Sequence, residues 1–193
     1  MFGPLGMTDT AFGVPDGQLH RLSAMYGLPD LVGEGYHAGN LVEAALGGFN
    51  ERIDVSATYP TATPDVFVRG GLGLFSTIDD YYRFAQMLGN GGRLNGECVV
   101  GRKTLELMHA NRLTPAMLPW EVMGTPSPGF GFGLGSRVML DVAASQAPGS
   151  VGEFGGGGAA KTYYWVDPVE DLVGVFMAQY MTGPEQPDRA FRS

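Results

Sequence analysis

A loop-rich α/β fold of the α+β kind, with antiparallel strands, is what three features of the sequence predict. Two segments between Gly70 and Asn111 carry helical periodicity, and from Phe130 to Tyr180 the apolar period shortens to two. The chain's 31 glycines and 13 prolines separate these segments, too many for a helical bundle and without the period of collagen. With 193 residues, 44% of them hydrophobic, the chain can bury a core of one domain or large parts of two that are completed elsewhere.

Residues 1–69 read as a loop-rich part of a helical region, with turn signals at Gly3-Pro4, Val14-Pro15-Asp16-Gly17, Leu28-Pro29-Asp30 and Tyr59-Pro60. A stretch this long without elements of its own needs another surface to pack on. Residues 70–193 hold the helices and strands of the sheet region. A first helix opens after Gly70-Gly71-Leu72-Gly73-Leu74-Phe75: Ser76 or Thr77 can cap it, Asp79 or Asp80 follows as in a capping box, and Ile78, Tyr81, Tyr82, Ala85 and Leu88 are predicted to share a face. Asn90-Gly91-Gly92 stops it. A shorter helix is expected from about Arg102 to Asn111, with Leu105, Leu107 and Met108 on its apolar side.

Strands follow. Phe130 to Gly135 alternates apolar residues with glycine, and Ser136 to Leu140 can continue it as one strand. Thr162 to Val166 and Leu172 to Tyr180, joined through Asp167-Pro168 and Glu170-Asp171, predict an antiparallel hairpin. The tail Thr182 to Pro187 breaks the sheet, and Asp188 to Ser193 reads as the start of a helix.

A formal charge of −8, from 12 Lys plus Arg against 20 Asp plus Glu, argues against nucleic acid and anionic membrane surfaces as partners. No apolar run has the length of a membrane span, and the first residues lack the basic and apolar regions of a secretory signal. The compartment stays open, with the cytoplasm favoured over export, since any signal peptide would lie in a missing front. Cys98 stands alone, and His20, His37 and His109 show no metal-ligand spacing, so no metal and no other cofactor is expected.

The densest chemical signal is Phe154-Gly155-Gly156-Gly157-Gly158-Ala159-Ala160-Lys161-Thr162, directly before an aromatic strand. Glycines let a ligand approach the backbone and leave amide N–H groups to face an oxyanion. The same residues also suit a bulge or turn leading into a hairpin. They do not make a phosphate loop, because no helix follows a Gly-Lys-Ser/Thr triplet.

Four segments in order carry a family resemblance over nearly the whole chain. Gly3-Pro4-Leu5-Gly6-Met7-Thr8-Asp9-Thr10-Ala11-Phe12, Gly70-Gly71-Leu72-Gly73-Leu74-Phe75-Ser76-Thr77-Ile78-Asp79-Asp80, Gly129-Phe130-Gly131-Phe132-Gly133-Leu134-Gly135 and Gly158-Ala159-Ala160-Lys161-Thr162-Tyr163-Tyr164-Trp165-Val166-Asp167-Pro168 resemble the later half of penicillin-recognising serine hydrolases, the class C β-lactamases and family VIII carboxylesterases. The resemblance implies the serine β-lactamase/transpeptidase-like fold and acyl transfer: a serine in Ser-x-x-Lys attacks an ester or lactam, with the lysine and a tyrosine moving the proton. No serine of this chain is followed three residues on by lysine, so the nucleophile is expected upstream, in a missing N-terminal half without which the chain is inert.

What the resemblance carries over is a wall of the pocket. Gly156, Gly157 and Gly158 fall on the family's Lys-Thr-Gly or Trp-Gly-Gly box, and Ala159 by analogy donates a backbone N–H to the oxyanion hole. Gly156 departs from the family's tryptophan or lysine, and Lys161 stands where glycine is usual. Lys161 reads as a solvated lysine at a turn, or else as a substrate-binding group; Tyr164 reads as core, or else as a wall of the acyl pocket. Ser76 reads as a helix cap, and Glu153 and Asp141 show no acid–base partner. Two functions follow: part of an esterase or β-lactamase-like hydrolase acting on a small ester or lactam, or a non-catalytic binding or scaffold module keeping the fold. A sheet face left without its flanking helices predicts self-association or dependence on the missing half.

Overall fold

The computed structural model describes residues 1–27, 52–56, 60–62, 70–71, 73–122 and 125–181. The expected turn at Leu28-Pro29-Asp30 and the helix start at Asp188 lie outside the described residues. In chain order the elements are α1 (Phe2–Leu5), a 3₁₀ turn (Asp16–Arg21), β1 (Met25–Gly27), β2 (Arg52–Ile53), α2 (Ile78–Gly89), β3 (Arg93–Leu94), β4 (Glu97–Cys98) and α3 (Arg102–Met108). A 3₁₀ turn (Pro115–Met117), β5 (Glu121–Val122), β6 (Thr125–Pro126), β7 (Phe130–Phe132), β8 (Arg137–Met139), α4 (Val142–Ser145), β9 (Phe154–Gly157), β10 (Thr162–Asp167), β11 (Leu172–Met177) and β12 (Tyr180–Met181) complete them.

The predicted hairpin is β10 against β11, in register from Thr162 opposite Met177 to Asp167 opposite Leu172. It anchors a five-stranded antiparallel sheet in the order β11-β10-β9-β8-β7. Asp167 makes its turn: buried, it accepts hydrogen bonds from the N–H groups of Val169 and Ser150, both at 3.0 Å. A second sheet runs β12-β1-β2, with β1 parallel to β12. The region expected to be loops therefore contributes strands, which their length of two or three residues hid from a periodicity reading.

Thr77, not Ser76, caps α2, its hydroxyl accepting from the Asp80 N–H at 3.2 Å, while Ser76 Oγ lies 2.8 Å from Thr10 Oγ1. The helix lies on β10 and β11 and buries Ala85, Met87 and Leu88, with Tyr81 and Phe84 half-buried beside them. Ile78 and Tyr82, expected on that face, are 50% and 43% exposed. The buried stripe of i, i+3, i+4, i+7 spacing starts at Tyr81 and passes beside them. Leu5, Met7, Met87, Leu88, Leu94, Leu105, Val138, Phe154 and Val166 form one core beneath α2, each burial of a large apolar side chain contributing about 1.5–3 kcal/mol. α3 stops at Met108, three residues short of the expected end, and Leu107 on it is exposed.

Phe130 to Leu140 is a hairpin and not one strand. β7 turns back at Leu134-Gly135, where Gly135 has φ 109°, and Gly133 N–H donates to Ser136 O at 2.8 Å. The positive φ at Gly135 is a conformation that glycine adopts without steric cost. α4, only four residues long, gives no periodic signal in the sequence; Asp141 caps it, accepting from Ala144 N–H at 3.0 Å. Among the described residues no helix is long and apolar enough to cross a membrane.

Candidate functional site

β9 and the loop after it carry every residue of the glycine box. Gly155, Gly156 and Gly157 pair with Trp165, Tyr164 and Tyr163 of β10. Gly158 N–H donates to Thr162 O at 2.8 Å and Lys161 N–H to Gly158 O at 3.0 Å, which closes a three-residue hairpin loop of Ala159, Ala160 and Lys161. Such loops are built from a turn followed by a residue in the left-handed region, the position of the G1 bulge. Lys161 occupies that position with φ 64°. The need for glycine there is a matter of sterics, and a lysine in this conformation costs about 1–2 kcal/mol.

On its other side β9 is joined to β8 only through Gly155 opposite Arg137 and Phe154 opposite Val138. Beyond Gly155 that edge of β9 leaves the ladder, so Gly156 and Gly157 are bonded to β10 alone among the described residues. Ala159 is exposed at the hairpin tip, outside both ladders. The structure thus brings Gly156, Gly157, Gly158, Ala159 and Lys161 together on one strand end and its loop.

The glycines differ in what surrounds them. A Cβ on Gly157 would fall 2.3 Å from Tyr163 Cε1, and one on Gly158 2.7 Å from Thr162 Oγ1, so both are closed to larger residues by their neighbours as placed. At Gly156 the nearest atom, Tyr164 Cε1, is 3.4 Å away, an ordinary contact. Packing therefore does not demand glycine at position 156.

Tyr164 lies on the α2 side of the sheet, edge-on to Tyr81 at 5.7 Å and Phe84 at 6.4 Å between centroids. Burial, with Tyr81 close by, pushes its hydroxyl pKa well above the usual tyrosine range. Trp165, one residue on, faces the opposite side and covers Gly174, whose Cβ would meet its Cζ2 at 2.1 Å.

Glu153, which shows no acid–base partner in the sequence, is buried beside the strand, its carboxylate 3.9 Å from the Arg137 guanidinium. His109, set aside as a metal ligand, caps the end of α3 with its ring stacked on Phe154, centroids 3.6 Å apart and planes 11° from parallel. Its Nδ1 is 2.8 Å from the buried Ser136 Oγ, and its Nε2 is buried without a partner among the described residues. Burial lowers its pKa to about 4, so the ring is neutral near pH 7. Nothing local signals this cluster, because its three residues come from separate elements. Among the described residues no group of His, Cys, Asp and Glu could hold a metal ion.

Three of the described serines are held by their neighbours. Ser136 and Ser145 are each 1% exposed, the latter bonded to Val142 O and Ala147 O, and Ser76 is tied to Thr10. A cavity of about 170 Å³ lies at the opposite end of β10 from the hairpin tip, lined by Tyr82, Gln86, Asn90, Asp167 and Leu172 among others.

This glycine-edged strand, set in an antiparallel sheet under one long helix, belongs to a β-lactamase-like fold. The family model described as Beta-lactamase matches residues 1–193, and the chain belongs to that family. It is 35% identical over 184 residues to Protein Rv1367c of Mycobacterium tuberculosis (strain ATCC 25618 / H37Rv), covering 93% of this chain and 41% of that protein. The chain spans about two fifths of the length of the curated relatives it matches. Among solved structures, EstCE1, a hydrolase with promiscuous acyltransferase activity, superposes with TM-score 0.66 at 20% identity over 93% of this chain and 43% of that one. The LovD6 mutant of simvastatin synthase from Aspergillus terreus gives 0.71 at 20% over 98% and 46%, and a family VIII carboxylesterase 0.60 at 18% over 97% and 47%. At these identities the structural likeness establishes the fold.

Proposed function

We propose that this chain forms one wall of an acyl-transfer site in a serine ester hydrolase or acyltransferase, whose Ser-x-x-Lys is supplied by polypeptide outside these 193 residues. The observation that carries the reading is the open edge of β9: past Gly155 the strand leaves β8, and Ala159 stands exposed beyond the ladder. In this reading the Ala159 N–H donates to the oxyanion of a tetrahedral intermediate, where one fixed donor is worth about 10²–10³ in kcat. Gly156, Gly157 and Gly158 present their backbone along the substrate's edge, Lys161 meets its polar end, and Tyr164 backs the acyl side. The named hydrolase and acyltransferase structures support the ester class over the lactam. The chain packs against either segments of the missing half or a second copy of itself; a monomeric, two-state chain in ultracentrifugation and calorimetry contradicts that part.

The test joins the chain to the segment encoded upstream of it and measures nitrophenyl-ester turnover. A soluble, folded joined protein that hydrolyses no ester removes the proposal. A second reading, a binding module without catalysis, is favoured by the glycine at 156 and the lysine at 161. It predicts ligand binding with no adduct after fluorophosphonate treatment, whereas the hydrolase gains the mass of one phosphonyl group.

A further inference from the structure

We infer that His109 is a positioning residue for the glycine edge of β9, holding Phe154 and Ser136 so that Gly156 to Ala159 are presented at a fixed depth; this deepens the acyl-transfer reading and rests on it for the kinetic part. Three elements meet at the imidazole. It ends α3, its ring lies flat on Phe154 at the start of β9, and its Nδ1 engages Ser136 just before β8. Continuation of the β8–β9 ladder by one pair beyond Arg137 and Gly155 would set Ser136 opposite Gly156. The ladder ends where His109 takes the Ser136 hydroxyl, and the open edge begins there.

The backbone that carries His109 is itself braced. Leu134 N–H donates to Met108 O at 2.7 Å and Arg112 N–H to Phe132 O at 2.8 Å, while Asn111 Oδ1 accepts from Phe132 N–H at 3.2 Å. Gly133 allows this approach, since a Cβ there would fall 2.2 Å from Met108 O. The segment from 108 to 112 thus runs bonded along β7, and the ring it projects is referenced to the sheet.

Space filling alone does not account for an imidazole here. A buried polar atom without a partner carries a desolvation cost, which a phenyl ring of similar shape avoids. His109 carries that cost at Nε2 and gains both a stacking face and a hydrogen bond at right angles to it. Phe154 shares its sheet face with Gly156, two residues on, so a shift of one is passed to the other along a single strand.

The test uses the full-length gene product and compares His109→Ala, His109→Phe and Ser136→Ala with the parent by hydrogen exchange and by nitrophenyl-ester kinetics. In His109→Ala, exchange in residues 154–160 is expected to quicken about tenfold while residues 78–89 are unchanged. Its kcat is expected to fall about tenfold with KM within about twofold, as a small misplacement of catalytic donors does. His109→Phe, which keeps the stacked ring but leaves the Ser136 hydroxyl without its partner, is expected to recover only part of each loss and to stay about threefold from the parent in both. Unchanged exchange in 154–160, or equal quickening in α2, overturns the inference. If His109→Ala does not fold, Ser136→Ala decides: quickening confined to 154–160 supports the inference and no change there overturns it. A parent without esterase activity defeats the acyl-transfer reading alone, because exchange still reports on His109.

Discussion

The carbonyl oxygen of Tyr164 lies so close to Gly155 that a Cβ on that residue would fall 2.2 Å from it, with Trp165 Cα at 2.9 Å. Both atoms belong to the backbone of β10 and cannot rotate away. Its neighbour Gly156 has a nearest approach of 3.4 Å, to the edge of a tyrosine ring. Gly155→Ala is therefore expected to destabilise by about 1–3 kcal/mol, the cost of overpacking, and Gly156→Ala to stay within about 1 kcal/mol of the parent. Urea unfolding of the two variants side by side checks this, and equal losses contradict it.

Lys161 holds the left-handed position of the hairpin loop at φ 64°. Lys161→Gly is expected to stabilise by about 1 kcal/mol, since glycine relieves the steric cost and gives back part of it as backbone entropy. Lys161→Ala removes the side chain and keeps the strain, so it is expected to fall about 1 kcal/mol below the glycine variant. An alanine variant as stabilised as the glycine one would show that the charge, and not the conformation, sets the cost. In the joined protein, a rise in KM for anionic esters in both variants supports a substrate contact at this residue.

The segment after α1 is latched to α2 by one buried carboxylate. Asp80 Oδ2 accepts from Asp9 N–H and from Thr10 Oγ1, each at 2.8 Å, and the side chain is 5% exposed. Thr10→Val keeps the shape and leaves the carboxylate one donor short, an expected loss of about 1–3 kcal/mol. Asp80→Asn is expected to be milder than Asp80→Ala, because the amide oxygen retains an acceptor for Asp9. Thermal denaturation orders the three, and an unaltered Thr10→Val midpoint denies the latch.

How much was readable in advance follows from how far apart the cooperating residues stand. The helix from Ile78 carried its own evidence in a local cap and a 3.6-residue stripe, and the aromatic hairpin of β10 and β11 carried period two and an aspartate turn. Gly155 to Lys161 were legible as a glycine stretch with a family likeness, but not the edge they form, because that depends on where β8 stops. The β7–β8 hairpin was missed since alternating Phe and Gly continue the strand pattern through Leu134-Gly135, the residues that turn it. Lysine at the bulge position disguised the loop type. His109 could not have been placed at all: its partner Ser136 is 27 residues away, and neither residue has a periodic context.

His109 makes the fold sensitive to acid in a definite direction. Burial lowers its pKa from 6.5 to about 4, and the groups nearest in sequence to its contacts, Arg137 and Glu153, face each other at 3.9 Å. Between those two pH values the unfolded chain binds a proton that the folded chain refuses, so stability rises with pH across that window. The contribution is fully present above pH 6.5 and is lost as pH falls toward 4. With the ring only half-buried, solvent screening holds it to about 1–2 kcal/mol. His109→Phe removes the titrating group while keeping a ring on Phe154, and is expected to flatten the decline in urea midpoint between pH 6.5 and 4. A decline as steep in the variant as in the parent would show that His109 does not set the acid sensitivity.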